Sequence, residues 1–195
     1  MPQPAADHRR AVAERNVEAI LDAAEALLER HAEATIAGVA AEAGVSRVTV
    51  YAHFPTREEL LEAVVERAVR HASVALDSAE PSRGPAVDAL DRVIAAGWSE
   101  LDRHSTIADA AAKQLSPTAL TRAHRAGRQR IRELIERGRD DGSFRTDVPT
   151  DWLVATFFAL MHACGEEVRA GRLKRRAAPD ALRRTIRDAL CERRR

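Results

Sequence analysis

The sequence predicts an all-α fold of about nine helices, with a three-helix domain at the N-terminus and a helical bundle after it. Apolar residues recur at helical spacing along most of the chain, and no stretch of useful length alternates with a period of two. Aromatic residues make up 4% of the 195 residues, whereas Ala and Leu dominate the apolar set, which favours helix over sheet. Apolar residues reach 45%, which is enough to build a core.

The first helix is predicted over about residues 10–30, after a loose N-terminal tail. Ile20, Leu21, Ala24 and Leu28 recur on one face of this helix. A stripe of this kind predicts a face that is buried against the helices that follow.

Residues 35–54 predict two short helices around a tight turn. Thr35 and Ser46 each stand where an N-cap is preferred, one before each helix. Gly44 lies at the corner, where a left-handed backbone costs least. Two crossed helices joined by a turn with Gly form a helix-turn-helix, whose second helix can enter the major groove of DNA.

A fourth helix is predicted from Thr56, its N-cap, with Glu59 completing a capping box. Its apolar stripe continues to about Ser78, beyond what a three-helix core requires. The segment 81–85, PSRGP, is the strongest break in the chain and the predicted domain boundary.

The second half is predicted to be a helical bundle. Thr150 is a predicted N-cap, and Pro179 fits the first turn of the last helix. The predicted helices cover about 86–104, 107–115, 116–139, 151–170 and a final stretch ending at Leu190.

A family resemblance lies in the run AGVSRVTVYAHFPTREELL, residues 43–61. The spacings Gly-Val-Ser, Thr-x-Tyr-x-x-Phe and Glu-x-Leu occur there in one uninterrupted block, and this block resembles the DNA-binding domain of TetR-family transcriptional regulators. The resemblance implies a DNA-binding domain over residues 9–72, with the motif at 35–54, and a C-terminal domain over 82–195 that binds an effector and dimerises.

The first turn of the second short helix offers two side chains to the edges of bases. Arg47 can bond to guanine O6 and N7, and Val48 can pack on a thymine methyl group. The resemblance implies that Ala37 also faces bases, by methyl contact, and that five positions with hydrogen-bond donors touch phosphates, namely Thr35, Thr49, Tyr51, His53 and Arg57.

Each of these assignments has a structural alternative. Tyr51 and His53 could be ordinary surface side chains, and Arg47 could contact a phosphate instead of a base. Ser46 is predicted to act as a cap rather than as a direct phosphate ligand. Val50 and Phe54 are predicted to belong to the core.

The charge distribution is mixed. Residues 1–60 carry 6 Arg and Lys against 10 Asp and Glu, a net charge of −4. Within residues 35–57, however, Arg47 and Arg57 stand against Glu42 alone, so the predicted contact face is locally positive. The local face matters more for DNA affinity than the sum.

The apolar segment 152–164 predicts a homodimer. A helix that is apolar nearly all round must be covered on every side, so one face is expected in its own domain and the other against a second subunit. The stripe of the last helix, 181–190, is expected to join it in a four-helix interface. A dimer of this kind would read the two half-sites of a palindromic DNA operator.

The resemblance also implies a pocket for a small-molecule effector. Ordinary core packing is the alternative for each of the candidate lining residues, which are Trp98, Leu101, Leu115, Phe157, Met161 and His162. His162 and Glu166 stand four apart as metal ligands sometimes do, but no third ligand accompanies them, so neither a metal nor a cofactor is predicted.

The two cysteines, Cys164 and Cys191, are too few for a disulfide framework and are expected to be reduced thiols in the cytoplasm. No apolar run of 18 residues predicts a membrane span. No Gly-rich phosphate loop, paired carboxylate site or nucleophile with a base predicts an enzyme. The predicted function is a repressor released from its operator by an effector; the alternative is a constitutive DNA-binding dimer whose C-terminal half only dimerises.

Overall fold

A computed structural model of the chain describes residues 4–30, 33–107, 110, 118 and 124–192, with side chains from residue 10 onward. Regular structure in these residues is helical, apart from one isolated β-bridge between Phe144 and Cys191, so the all-α prediction is confirmed. The helices are α1 (Pro4–Glu29), α2 (Ile36–Glu42), α3 (Arg47–His53), α4 (Arg57–Ser78), α5 (Ala86–Arg103), α6 (Arg125–Asp140), α7 (Thr150–Arg169) and α8 (Ala178–Leu190), with a 3-10 turn at Arg175–Ala177.

Three details of the predicted helices differ in the structure. Helix α1 begins at Pro4 instead of about residue 10, and a proline suits this position because the first turn needs no N–H donors. The helix predicted over 116–139 is not continuous, because His124 lies in a turn and α6 begins after it, at Arg125. Thr150 does not cap α7, because it is already helical and Pro149 is the N-cap; its Oγ1 instead accepts a 2.8 Å hydrogen bond from Arg139. Most of the helix predicted over 107–115, and the start predicted at 116, fall outside the described residues.

The described chain forms two compact units. The first contains residues up to Ala68 with the described part of 106–120, and the second contains residues 69–105 and 124–192. Helix α4 contributes residues to both.

The core of the first unit is built from the apolar faces of α1 to α4. Val50 and Phe54 are buried in it, as the sequence predicts. The other buried side chains include Ile20, Leu21, Ala24, Leu28, Val39, Ala40, Leu60, Leu61, Val64 and Val65.

An ion cluster joins α1 to α4 within this unit. Arg67 is only 6% exposed, and its guanidinium contacts three carboxylates: Glu25 at 2.9 Å, Asp22 at 2.8 Å and Glu18 at 3.2 Å. Burial alone would lower the pKa of Arg67, but the hydrogen bonds and charges of Glu25 and Asp22 raise it on balance. The buried cation therefore remains charged and is compensated by α1.

The core of the second unit lies between α5, α6, α7 and α8. The buried Phe144 ring packs where Gly138 of α6 has no side chain, because a Cβ there would overlap the ring. The bridge beside it consists of hydrogen bonds from Arg145 N to Leu190 O (3.0 Å) and from Glu192 N to Ser143 O (2.9 Å).

The segment that the sequence predicts as the domain boundary is held by two arginines. Arg92 donates to the carbonyls of residues 79, 80 and 83, at 2.9, 2.9 and 2.7 Å. Arg137 donates to the carbonyls of residues 84 and 81, at 2.6 and 2.8 Å. Residues 81–85 lie within the second compact unit, and these five hydrogen bonds fasten backbone oxygens in and just before the turn to α5 and α6.

Candidate nucleic-acid interface

Helices α2 and α3 each begin at a side-chain cap, and a tight turn joins them. Thr35 Oγ1 accepts a 3.1 Å hydrogen bond from Gly38 N, and Ser46 Oγ accepts one of 3.0 Å from Thr49 N. Gly44 has a φ of 66°, in the left-handed region that favours glycine. Both predicted caps and the predicted corner glycine are confirmed.

Helix α3 exposes two large apolar side chains on a helix of seven residues. Val48 is 77% exposed and Tyr51 is 52% exposed, while Val50 between them is buried. Arg47 is also exposed, at the start of the helix. A methyl surface, a phenol and a guanidinium on one accessible helix are the groups that read base edges and phosphates.

The local charge of this face is positive. Glu42 is the acidic residue within residues 35–57, and it forms a 3.0 Å ion pair with Arg30. Among the described side chains, Arg47 has no carboxylate within ion-pair distance. Its charge is therefore available to an anionic partner.

The other predicted contacts differ in exposure. Thr35 is exposed, whereas Ala37 and His53 are partly buried. Thr49 is also partly buried, and its Oγ1 lies 2.8 Å from Ser46 Oγ, so this hydroxyl belongs to the cap as well as to the predicted contact surface.

Arg57 has a structural role that the sequence analysis missed. Its Nε donates a 3.0 Å hydrogen bond to Ala34 O, which fastens the start of α4 to the residue just before the Thr35 cap. The sequence analysis also missed Arg67. An arginine within the apolar stripe of α4, together with the acidic residues of α1, is the pattern that could have predicted its buried ion pairs.

Similarity to known proteins identifies the family of this chain. Residues 20–64 match the family described as bacterial regulatory proteins, tetR family. Over 171 residues the chain is 32% identical to the HTH-type transcriptional repressor LfrR of Mycolicibacterium smegmatis, and the match covers 87% of each chain. The chain belongs to the TetR family.

This TetR-family chain is therefore a DNA-binding transcriptional regulator and not an enzyme. It is similar to the crystal structure of the TetR-like regulator LfrR from Mycobacterium smegmatis in complex with proflavine, with a TM-score of 0.66, 29% identity, and coverage of 89% of this chain and 94% of that one. A TetR-family structure from Shewanella sp. PV-4 has a TM-score of 0.72 at 22% identity over 91% of this chain and 99% of its own, which shows the shared fold.

The structure brings together only some of the residues predicted for the effector pocket of this TetR-family protein. Trp98, Phe157 and Met161 are buried in one apolar core, and Leu101 is partly buried beside it. The Cβ position of Gly165 lies 3.2 Å from Leu101. Leu115 falls outside the described residues.

His162 lies apart from that core, on the exposed side of α7. Its ring makes an edge-to-face contact with His124, with centroids 5.5 Å apart. Desolvation of the ring by the surrounding protein atoms disfavours its charged form and lowers the pKa of His162. Charge repulsion from His124 lowers this pKa further. Within the described ranges, no three His, Cys, Asp or Glu side chains are grouped as a metal site requires.

The predicted dimer interface needs a correction at α8. The stripe assigned to a second subunit, which includes Leu182, Ile186 and Leu190, is buried in the core of its own unit. The amphipathic helix uses its apolar side to close the bundle and leaves charged side chains outside. On α7, by contrast, Trp152 is 64% exposed.

Across the described residues, no helix is both long and apolar enough to cross a membrane.

Proposed function

We propose that this regulator is a homodimeric, ligand-responsive repressor that acts in the cytoplasm on a palindromic operator. The exposed Arg47, Val48 and Tyr51, on a helix capped by Ser46, carry the proposal, because they form an accessible surface for the major groove. The similarity to LfrR, a transcriptional repressor, supports repression.

The proposed contacts divide by chemistry. Arg47 and Val48 read base edges, with Ala37 adding a methyl contact. Ser46 positions the first turn of α3 through its cap. Hydrogen-bond donors to phosphates are supplied by Thr35, Thr49, Tyr51, His53 and Arg57.

The exposed face of α7 is the proposed dimer surface. Trp152, Ala159 and Ala163 are exposed and follow one another at helical spacing. A second copy would cover this apolar face by two-fold symmetry. Ala159→Glu is expected to give monomers in analytical ultracentrifugation, whereas Ala95→Glu, on the exposed side of α5, is expected to leave a dimer; a dimer for both variants would contradict the assignment.

The effector is proposed to bind the domain over residues 82–195, and the DNA is proposed to bind the domain over residues 9–72. LfrR in complex with proflavine supports a small molecule as the effector. The effector must bind more tightly to a conformation with low DNA affinity, and α4, which belongs to both units, is the proposed connection. A useful response requires a coupling of about 1–3 kcal/mol.

The deciding experiment selects bound duplexes from a random DNA pool and measures their affinity by fluorescence anisotropy. A repressor of this kind is expected to enrich a palindrome and to lose affinity steeply with added salt. The absence of any sequence preference, even at low salt, would contradict DNA recognition.

A constitutive dimer without an effector is the second candidate. The burial of Trp98, Phe157 and Met161 in a packed core favours it, because these residues then have structural roles. A thermal-shift screen followed by operator binding distinguishes the two: a compound that stabilises the protein and weakens operator binding supports the ligand-responsive repressor. An unrelated helix-turn-helix protein with its own operator controls for compounds that act on DNA.

A further inference from the structure

Arg57 closes the segment that contains the two short helices into a loop. Its Nε donates a 3.0 Å hydrogen bond to Ala34 O, across 23 positions of the sequence. Residues 34–57 therefore form a loop that encloses α2, the turn and α3. Ala34 is fully buried, and a buried carbonyl oxygen requires a hydrogen-bond donor. The bond thus satisfies a buried backbone group and joins the two ends of the loop.

The other hydrogen bonds at the junctions of this loop are local. Val45 N donates to Ala40 O at 3.0 Å and ties the turn to α2. Thr56 Oγ1 accepts a 3.1 Å hydrogen bond from Glu59 N at the start of α4. Bonds between residues so close in sequence shape each junction, but they do not set the angle between α2 and α4. The bond from Arg57 spans the whole loop and fixes the start of α2 against the start of α4.

The orientation of α2 matters for DNA recognition because α3 moves with it. The two helices pack against each other, and the turn between them is short. A hydrogen bond to a base edge requires its heavy atoms to lie within about 2.7–3.2 Å, so a small tilt of α3 removes a base contact. Phosphates attract a cation over a longer range and carry no base identity. Base contacts are therefore more sensitive than phosphate contacts to the orientation of these helices.

We propose that Arg57 is a positioning residue for sequence recognition, because its Nε holds α2, and with it α3, in the orientation that reads base edges. The inference rests on the DNA recognition proposed above, and it adds a second role to the phosphate contact proposed for the same side chain. Nε and the two terminal nitrogens of a guanidinium are separate donors, so one arginine serves both roles. Substitutions that keep one role and remove the other distinguish them.

The test compares Arg57→Gln with Arg57→Met in the full chain. Neither variant carries the positive charge, so both lose the attraction to phosphate. The glutamine amide nitrogen stands the same number of bonds from the backbone as Nε and can keep the bond to Ala34 O, whereas methionine has no N–H donor. Fluorescence anisotropy measures the affinity for the operator selected with wild-type protein and for a scrambled duplex of equal length.

Both variants are expected to bind every duplex more weakly than wild type, with a salt slope smaller by about 0.9 for each phosphate contact that is lost. Arg57→Gln is expected to keep the wild-type ratio of operator affinity to scrambled-duplex affinity. Arg57→Met is expected to lower this ratio by about 3- to 10-fold, as the loss of one hydrogen bond implies. An equal ratio in the two variants, whether high or low, would overturn the proposal.

Hydrogen exchange of the free protein gives a second readout, which does not depend on DNA. The amides of residues 36–42 are expected to exchange faster in Arg57→Met than in wild type or Arg57→Gln, and equal exchange in all three would overturn the proposal. Arg30→Lys is the matched control at the other end of α2, since a lysine can keep the ion pair with Glu42. It is expected to match wild type in both measurements, and a loss as large as that of Arg57→Met would contradict the assignment.

Thermal unfolding of all variants separates a loss of positioning from a loss of the fold. If Arg57→Met fails to fold, Arg57→Lys replaces it. The single nitrogen of this lysine can bond to Ala34 O or to a phosphate but not to both, so retention of both the operator preference and the full salt slope would overturn the proposal. Wild-type protein without any operator preference would contradict only DNA recognition, because the exchange measurement still decides the role of Arg57.

Discussion

Helices α3 and α8 use their apolar side chains in opposite ways. Helix α3 buries Val50 but exposes Val48 and Tyr51, whereas α8 places its whole apolar stripe in the core and exposes charged residues. Burying a large apolar side chain stabilises a fold by about 1.5–3 kcal/mol, so α3 forgoes stability that α8 gains. The apolar side chains of α8 therefore stabilise the monomer, whereas those exposed on α3 are left for the DNA interface proposed above.

Ile186→Ala on α8 is expected to give the largest effect, a loss of about 2–5 kcal/mol in the free energy of unfolding. Ile186 is fully buried, so the change removes packed atoms and leaves a cavity. Val48→Ala on α3 is expected to change stability by no more than about 0.5 kcal/mol. Guanidinium unfolding followed by circular dichroism measures both, with Thr185→Ala on the exposed side of α8 as the control. Equal losses of unfolding free energy for Ile186→Ala and Val48→Ala would contradict this difference between the two helices.

Arg67→Met extends the comparison to charged residues and is expected to lose about 1–3 kcal/mol of stability. The substitution leaves Glu25 partly buried without its cation, next to two further carboxylates on α1. Arg10→Met, which breaks the exposed pair with Glu14, is the control and is expected to change stability by less than about 0.5 kcal/mol. Equal losses of unfolding free energy for Arg67→Met and Arg10→Met in chemical unfolding would show that the burial of Arg67 has no energetic consequence.

Arg47→Ala and Thr49→Ala test whether α3 contacts bases through Arg47 and phosphates through Thr49. Loss of Arg47 is expected to relax the preference at one base pair by about 1–3 kcal/mol, because a bidentate contact to guanine is removed. Loss of Thr49 is expected to weaken all sequences alike, since phosphates carry no base identity. Anisotropy titrations with the selected operator and single-base variants measure both. A uniform loss for Arg47→Ala would place its side chain on a phosphate.

The smallest expected effect is the pH dependence from Asp77 on α4 and Arg130 on α6. The hydrogen bond with Arg130 lowers the pKa of Asp77 below its ordinary value of about 4. The ion pair therefore contributes its full stability above the ordinary pKa of an aspartate. This contribution is lost as the pH falls through the lowered pKa of the folded state. Because Asp77 is exposed, the contribution is about 0–1 kcal/mol. The free energy of unfolding is expected to differ less between pH 7 and pH 3 for Asp77→Asn than for wild type. An equal difference for the two proteins would contradict a contribution from this ion pair.

The sequence predicted local features well because neighbouring residues determine them. Thr35 and Ser46 cap helices through atoms three residues away, and Gly44 permits the corner by its own backbone freedom. The predicted Thr150 cap was wrong because the helix already includes Thr150, with Pro149 as its N-cap, and the hydroxyl binds Arg139, eleven residues earlier, instead. Nothing in the local pattern around Thr150 indicates that competitor.

Longer-range features could not be predicted in the same way. The Pro and Gly residues of 81–85 indicate a break, but the hydrogen bonds from Arg92 and Arg137 depend on helices that come later in the chain. The unpartnered oxygen of Glu100 likewise depends on what surrounds it, since an isolated Glu on a helix reads as a solvated side chain.

The helical class, the capped helices of residues 35–54 and the exposed positions of Arg47 and Val48 follow from the amino-acid sequence alone, since each depends on spacing and local chemistry. The packing of the whole chain decides which apolar stripe closes the core and which stays exposed, because helical periodicity predicts an apolar face but not the element that covers it. It also decides which charges are buried, because burial is a property of the whole packed chain.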